Sequence, residues 1–312
     1  MPFLFRIFAS TMSSNQSAFI VYLKGIAMGV ADLVPGVSGG TIALITNIYE
    51  ELISSINRVT GKEIVRLLGS NRKQAWQNVN GSCLLPLILG IATSILFLSS
   101  IIQFFLENYA LALWSFFFGL IFASAILICK DVKQWSATTV IGLILGGITS
   151  FLIGFLTPAE AIQALPYLFL CGMLMIIAMI LPGISGSFIL VLLGAYETAL
   201  STIDMVRSFE IQGFINLAAF GLGALVGIKL FARWVEKLFA SARDTLLATM
   251  SGFMFGSLYK VWPWTQQLTS SPTDRSFVIP QISLSNSDFC IGLFFIMLGI
   301  STIYAFHRLS KN

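Results

Sequence analysis

Apolar residues run along this chain in blocks too long for the core of a small soluble domain. A bilayer-spanning helix needs about 20 apolar residues, and segments of that kind occupy 83–106, 111–129, 137–157, 214–239, 244–262 and 288–307. Two further apolar regions, 18–56 and 165–203, are each interrupted near the middle. The breaks read Pro35-Gly36-Val37-Ser38-Gly39-Gly40 and Pro182-Gly183-Ile184-Ser185-Gly186-Ser187. Proline removes a backbone donor and disfavours the α region for the residue before it, and glycine is a poor helix former. Each region is therefore predicted as a hairpin of two short helices around a non-helical elbow.

The elbows expose an internal repeat. A shift of 147 residues carries Pro35, Gly36, Ser38 and Gly39 onto Pro182, Gly183, Ser185 and Gly186. It also carries Gly25, Met28, Tyr49, Glu50 and Ser54 onto Gly172, Met175, Tyr196, Glu197 and Ser201. Further along, a shift of 133 pairs Gly90 with Gly223, Gly119 with Gly252 and Ser124 with Ser257. The pattern predicts one unit written twice, residues 18–157 and 165–307, within a single membrane domain. Each unit is a broken, re-entrant-like hairpin followed by three transmembrane helices. A hairpin returns to its own side, so three spans leave the second unit inverted relative to the first.

Composition excludes the soluble alternatives. Of 312 residues 56% are hydrophobic and 10% charged, with a mean hydropathy of +0.88, against about 25% charged residues in soluble domains. The reading is an all-α polytopic integral membrane protein, not a nucleic-acid binder. Charge placement supplies an orientation. With both termini cytoplasmic, fifteen of the eighteen Lys and Arg fall on inner segments, and only Arg207, Lys260 and Arg275 fall outside, in keeping with the positive-inside rule. Residues 1–17 read as a cytoplasmic tail or surface helix rather than a cleaved signal. The four cysteines form no C-x-x-C and the single histidine is His307, so no metal or other cofactor is expected.

Inverted repeats with interrupted helices characterise secondary transporters, whose sites form where the broken elements meet. Each elbow is predicted to open a helix, from Thr41 in the first and Phe188 in the second. A helix start presents unpaired N–H groups and the positive end of the dipole. Ser38, Thr41, Ser185 and Ser187 add hydroxyls, while Gly36, Gly39, Gly40, Gly183 and Gly186 permit close approach of an anion to the backbone. Phosphate, chloride and carboxylate all suit this chemistry. Asp32 lies deep, where an acid is costly unless paired or protonatable. Its counterpart is Met179, so Asp32 breaks the symmetry and points to a directional role such as proton coupling. Glu50 and Glu197 have two readings, ordinary interfacial acids or a symmetry-related gating pair. Arg233 either snorkels to headgroups or offers a guanidinium to a phosphate. Gly142/Gly146 and Gly223/Gly227 have the spacing of close helix packing.

The run Gly29-Val30-Ala31-Asp32-Leu33-Val34-Pro35-Gly36-Val37-Ser38-Gly39-Gly40-Thr41, with its second copy Leu181-Pro182-Gly183-Ile184-Ser185-Gly186-Ser187, resembles the bacterial polyprenyl-phosphate (undecaprenyl-phosphate) translocase family. The resemblance spans nearly the whole chain and is most specific at the first elbow. It implies a multi-pass protein of the bacterial cytoplasmic membrane that returns undecaprenyl phosphate, the lipid carrier of envelope synthesis, from the outer to the inner leaflet. The second elbow departs from the first, with Ser187 for Gly40 and Phe188 for Thr41. Two rivals stand beside this reading. A small-anion channel or exchanger would use the same helix ends around a water-filled pore. A lipid phosphatase would need paired acids or a histidine that the apolar segments do not supply.

Overall fold

The fold is given by a computed structural model that describes residues 17–34, 36–69, 71–156, 159–160, 162, 164–267, 275–277 and 287–311. Residues 1–16, Pro35 and most of the 268–286 segment lie outside the described residues, and with them the expectation of an N-terminal cytoplasmic tail or surface helix.

Helix α1 (Ala18–Leu33) starts on Ser17, whose hydroxyl accepts from the Ile20 N–H, and ends just ahead of the first elbow. The elbow leads into α2 (Gly39–Ile45) and then α3 (Tyr49–Arg58). Two short helices, α4 (Gly61–Leu68) and α5 (Arg72–Asn78), precede the first long span. That span is α6 (Gly81–Thr93), a π-helical turn over Ser94–Leu98 and α7 (Ser99–Asn108), which together form a helix of 28 residues. Helices α8 (Ala110–Lys130) and α9 (Ala137–Ile153) complete the first half. The chain continues with α10 (Leu165–Ile180), α11 (Gly186–Leu192), α12 (Tyr196–Arg207), α13 (Ile211–Ser241), α14 (Arg243–Ser257) and α15 (Ser287–Lys311). A small antiparallel ribbon, β1 (Thr265–Gln267) and β2 (Arg275–Phe277), interrupts the helical series between α14 and α15.

Among the described residues, four helices are long and apolar enough to cross a membrane: 81–108, 110–130, 211–241 and 287–306. The segments expected at 137–157 and 244–262 are shorter helices, of 17 and 15 residues. The first stops before Gly154 and the second gives way to turns ahead of Pro263. The hairpins also differ from expectation, because the chain breaks twice in each. Beyond the first elbow α2 stops after seven residues, and Asn47 adopts φ +56° before α3 begins. Beyond the second, Gly194 takes φ +62° and α12 leaves α11 at 108°. At about 1.5 Å per residue, a seven-residue helix reaches only about a third of the way across a hydrocarbon core of about 30 Å.

Long helices pair through glycines. Along α1 and α6, Gly25 lies against the Leu87 carbonyl and Gly90 against that of Tyr22. Along α10 and α13, Gly172 lies against the Phe220 carbonyl and Gly223 against that of Phe169. Helix α8 packs on α15, where Gly119 meets Ile296 and Gly299 meets Phe116. Helix α9 packs on α14, where Gly252 meets Leu143 and Gly146 meets Thr249. Backbones approach this closely only where a side chain is missing. Helix α8 is central and mostly buried, while the other long apolar helices turn side chains such as Leu96, Phe97, Leu225 and Phe294 outward.

Candidate functional site

The two elbows share a backbone conformation. Val34 and Leu181 are extended, Gly36 and Gly183 take φ +84° and +82°, and Ser38 and Ser185 are again extended. Both glycines sit in the left-handed region that a residue with a Cβ rarely enters. The helices beyond open at Gly39 and Gly186, two residues earlier than the expected Thr41 and Phe188.

These elbows meet. Ser38 Oγ donates toward the carbonyls of Met179 and Leu181, at 2.9 and 3.1 Å, and the Gly183 N–H donates to Thr41 Oγ1 at 3.2 Å. Gly40 lies directly against the Ile180 carbonyl, leaving no room for a side chain. Ser38 and Thr41 are fully buried. Their hydroxyls thus join elbow to elbow. The sequence grouped them with the anion-binding donors because it could not reveal which carbonyls lie nearby.

The first elbow is closed by its own charges. Asp32 Oδ1 accepts from the Gly39 N–H at 2.7 Å, and Ser38 Oγ accepts from the Gly40 N–H at 3.1 Å. At the other end of α2, Lys24 Nζ donates to the Thr46 carbonyl at 2.7 Å. An acid at a helix start and a cation at its end both oppose the helix dipole. The spacing explains the fit. Eight residues separate Lys24 from Asp32, about 12 Å along one face of α1, close to the length of α2 beside it. Every residue of α2 is buried.

The second elbow lacks these partners. Positions 24 and 32 correspond to Cys171 and Met179, and α11 has no side-chain cap at its start. Ser185 and Ser187 instead bond each other, Oγ to Oγ, at 2.8 Å. Pro182, Gly183, Ser185 and Gly186 are buried and Ser187 is half-buried. Lys260, in the turn beyond α14, reaches in between the elbows. Its ammonium lies over the ring of Phe188, and its stem lies 3.6 Å from the point where a Cβ on Gly36 would stand. Among the described residues no ion pair engages it. Charge counting had assigned Lys260 to an outer loop. The available signal was its place inside the apolar stretch 244–262, ahead of the Trp262-Pro263-Trp264 run.

The remaining candidates lie elsewhere. Glu50, in the first turn of α3, forms an ion pair with Arg243 at 3.1 Å, while Glu197 is exposed on α12. Arg233 is exposed on α13. Its neighbours one turn to either side clamp the end of α3 rather than the elbows: Lys229 donates to the Ile56 and Asn57 carbonyls, and Glu236 accepts from Asn57. No cluster of His, Cys, Asp or Glu among the described residues is built to hold a metal ion.

Stacked apolar helices, outward-facing aliphatic residues and two buried elbows joined at their tips define a polytopic, helical membrane protein. A family model described as undecaprenyl phosphate translocase-like matches residues 28–278. The chain belongs to that family. It is 37% identical over 268 residues to a polyprenyl-phosphate transporter of Vibrio cholerae serotype O1, covering 86% of this chain and 85% of the relative. It is 31% identical over 261 residues to a polyprenyl-phosphate transporter of Staphylococcus aureus, covering 80% and 88%. No solved structure gives a significant match. These names describe transporters and not enzymes.

Proposed function

We propose that this protein carries undecaprenyl phosphate from the outer to the inner leaflet of the bacterial cytoplasmic membrane, returning the carrier lipid for reuse. The relatives' printed substrate supports the lipid class. The meeting of the two elbows carries the mechanism, because non-helical backbone persists among spanning helices only when it is buried in protein or lines a cavity.

On this reading the molecule is two inverted repeats with re-entrant hairpins. The glycine contacts support it. A shift of 147 turns Gly25 into Gly172 and Tyr22 into Phe169, while a shift of 133 turns Gly90 into Gly223 and Leu87 into Phe220. One half's helix contact is therefore the other's. The termini face the cytoplasm, where the clustered cations favour them.

The headgroup passes at the junction of the elbows, with Pro182 fixing the second bend. Asp32 acts as a stand-in for phosphate: as a carboxylate it occupies the start of α2, and on taking a proton it loosens its hold. Entry of a proton and movement of the headgroup are thereby linked. Glu50, through Arg243, and Glu197 gate the two faces, and Arg233 draws the phosphate toward the inner leaflet.

The test is movement of undecaprenyl phosphate headgroups in proteoliposomes under a pH gradient, read with a phosphatase that cannot cross the bilayer. Wild-type protein should move the headgroup, and Asp32→Asn should insert normally yet lose the response to the gradient. Gradient-driven transport by Asp32→Asn removes Asp32 from the coupling. No transport by wild-type protein removes the function.

A further inference from the structure

Beside the second elbow lies an apolar groove of about 390 Å³, within the range of about 300–1,000 Å³ typical of small-molecule sites. Its walls come from Ile153 at the end of α9 and Leu156 beyond it, Leu174 and Ile177 of α10, and Ile184 and Ile189 about the elbow. The walls are almost wholly aliphatic, so the groove favours an apolar occupant. Aliphatic walls alone identify nothing in a membrane, where they also suit bulk lipid. The cation next to them does.

Two elements that line the groove also touch Lys260. Gly154, between Ile153 and Leu156, stands so that a Cβ on it would lie 3.3 Å from Lys260 Cε. Phe188, between Ile184 and Ile189, carries the Lys260 ammonium on its ring face. An ammonium among apolar helices is costly without a counter-charge, and a ring face compensates only in part. We propose that the groove holds the phosphate-proximal isoprene units of the lipid, and that Lys260 receives the phosphate at its end. The occupant fits both features at once: a run of apolar, methyl-bearing isoprene units ending in an anion. Neutral membrane lipid fits the walls and leaves the cation unmatched, whereas free phosphate fits the cation and leaves the walls empty. The inference rests on the transport reading above and assigns to that function a seat and a specificity-determining residue.

The experiment uses the full-length protein in nanodiscs and a farnesyl phosphate bearing a photoreactive group on its terminal isoprene. Labelling should map to the segments 153–156, 174–178 and 184–193. Undecaprenyl phosphate should compete, and undecaprenol and inorganic phosphate should not. A hydrogen bond to a charged group corresponds to a loss of about tenfold or more, so Lys260→Gln should weaken probe binding by that factor. Lys260→Arg, which keeps the charge, should stay within about threefold. Leu174→Trp, at an outward-facing and therefore tolerant position, should fill the groove and weaken binding without altering the preference for the phosphorylated lipid. Equal competition by undecaprenol, or unchanged binding to Lys260→Gln, overturns the role of Lys260. Labelling that undecaprenyl phosphate displaces but that maps elsewhere overturns the groove and leaves the transport reading standing. Absence of any labelling displaced by undecaprenyl phosphate overturns the transport reading itself.

Discussion

The first elbow and the second have the same backbone and opposite surroundings. The helix beyond the first is buried along its whole length in the main core, beside Val34, Val37, Ala123 and Met250. Its start is capped by Asp32 and its end by Lys24. The helix beyond the second belongs to a smaller cluster of Leu168, Cys171, Leu190, Ala195 and Phe220, and borders the apolar groove. Its start carries no side-chain cap. The two elbows thus share a shape and differ in what surrounds it. At the first elbow Asp32 and Ser38 accept from the N–H groups that open the helix, while at the second Ser185 and Ser187 bond each other and Lys260 lies over Phe188.

The sharpest way to break this comparison is at the seam. Gly40→Val drives a branched side chain into the Ile180 backbone, where neither partner can yield. It should cost about 3 kcal/mol or more, read as early thermal unfolding in detergent. Ser187→Val, at the corresponding position of the second elbow, replaces a side chain already present and should cost about 1 kcal/mol or less. Equal losses would mean that the elbows are packed alike.

A second variant tests the difference in surroundings. Met179 faces Gly186 as Asp32 faces Gly39, with 3.3 Å between the Met179 Cβ and the place where a Gly186 Cβ would stand. Met179→Asp should therefore cap the second tip, repel an incoming phosphate and reduce undecaprenyl phosphate binding about tenfold, with little change in unfolding temperature. Unchanged binding would show that the uncapped tip has no part in recognition.

The smallest effect belongs to the rim. Glu50→Gln removes the pair with Arg243, which is partly exposed on both sides. Pairs of that kind contribute about 0–1 kcal/mol, so stability should fall by less than 1 kcal/mol and the difference should vanish in high salt.

Much of this was legible in the order of residues. The repeated Pro-Gly-x-Ser-Gly runs located both elbows, and the spacing of Gly142 with Gly146 and Gly223 with Gly227 announced close helix contacts later seen at α14 and α10. The second breaks were not legible, because Asn47 and Gly194 each interrupt an apolar run through a single backbone angle. Nor were the partners of Ser38 and Thr41, since a hydroxyl's choice of carbonyl depends on elements 141 to 143 residues away. Lys260 was hidden for a related reason: counting cations by loop treats each as solvated, whereas this one turns inward onto Phe188.

The charges bracketing α2 also matter while the chain is being made. Ser38 must await carbonyls that arrive 141 to 143 residues later, roughly 10 s at ribosomal speeds of about 5–20 residues per second. Asp32 and Lys24, by contrast, find their partners inside the first 46 residues. The two ends of α2 can therefore be satisfied before the carboxy-terminal half has left the ribosome.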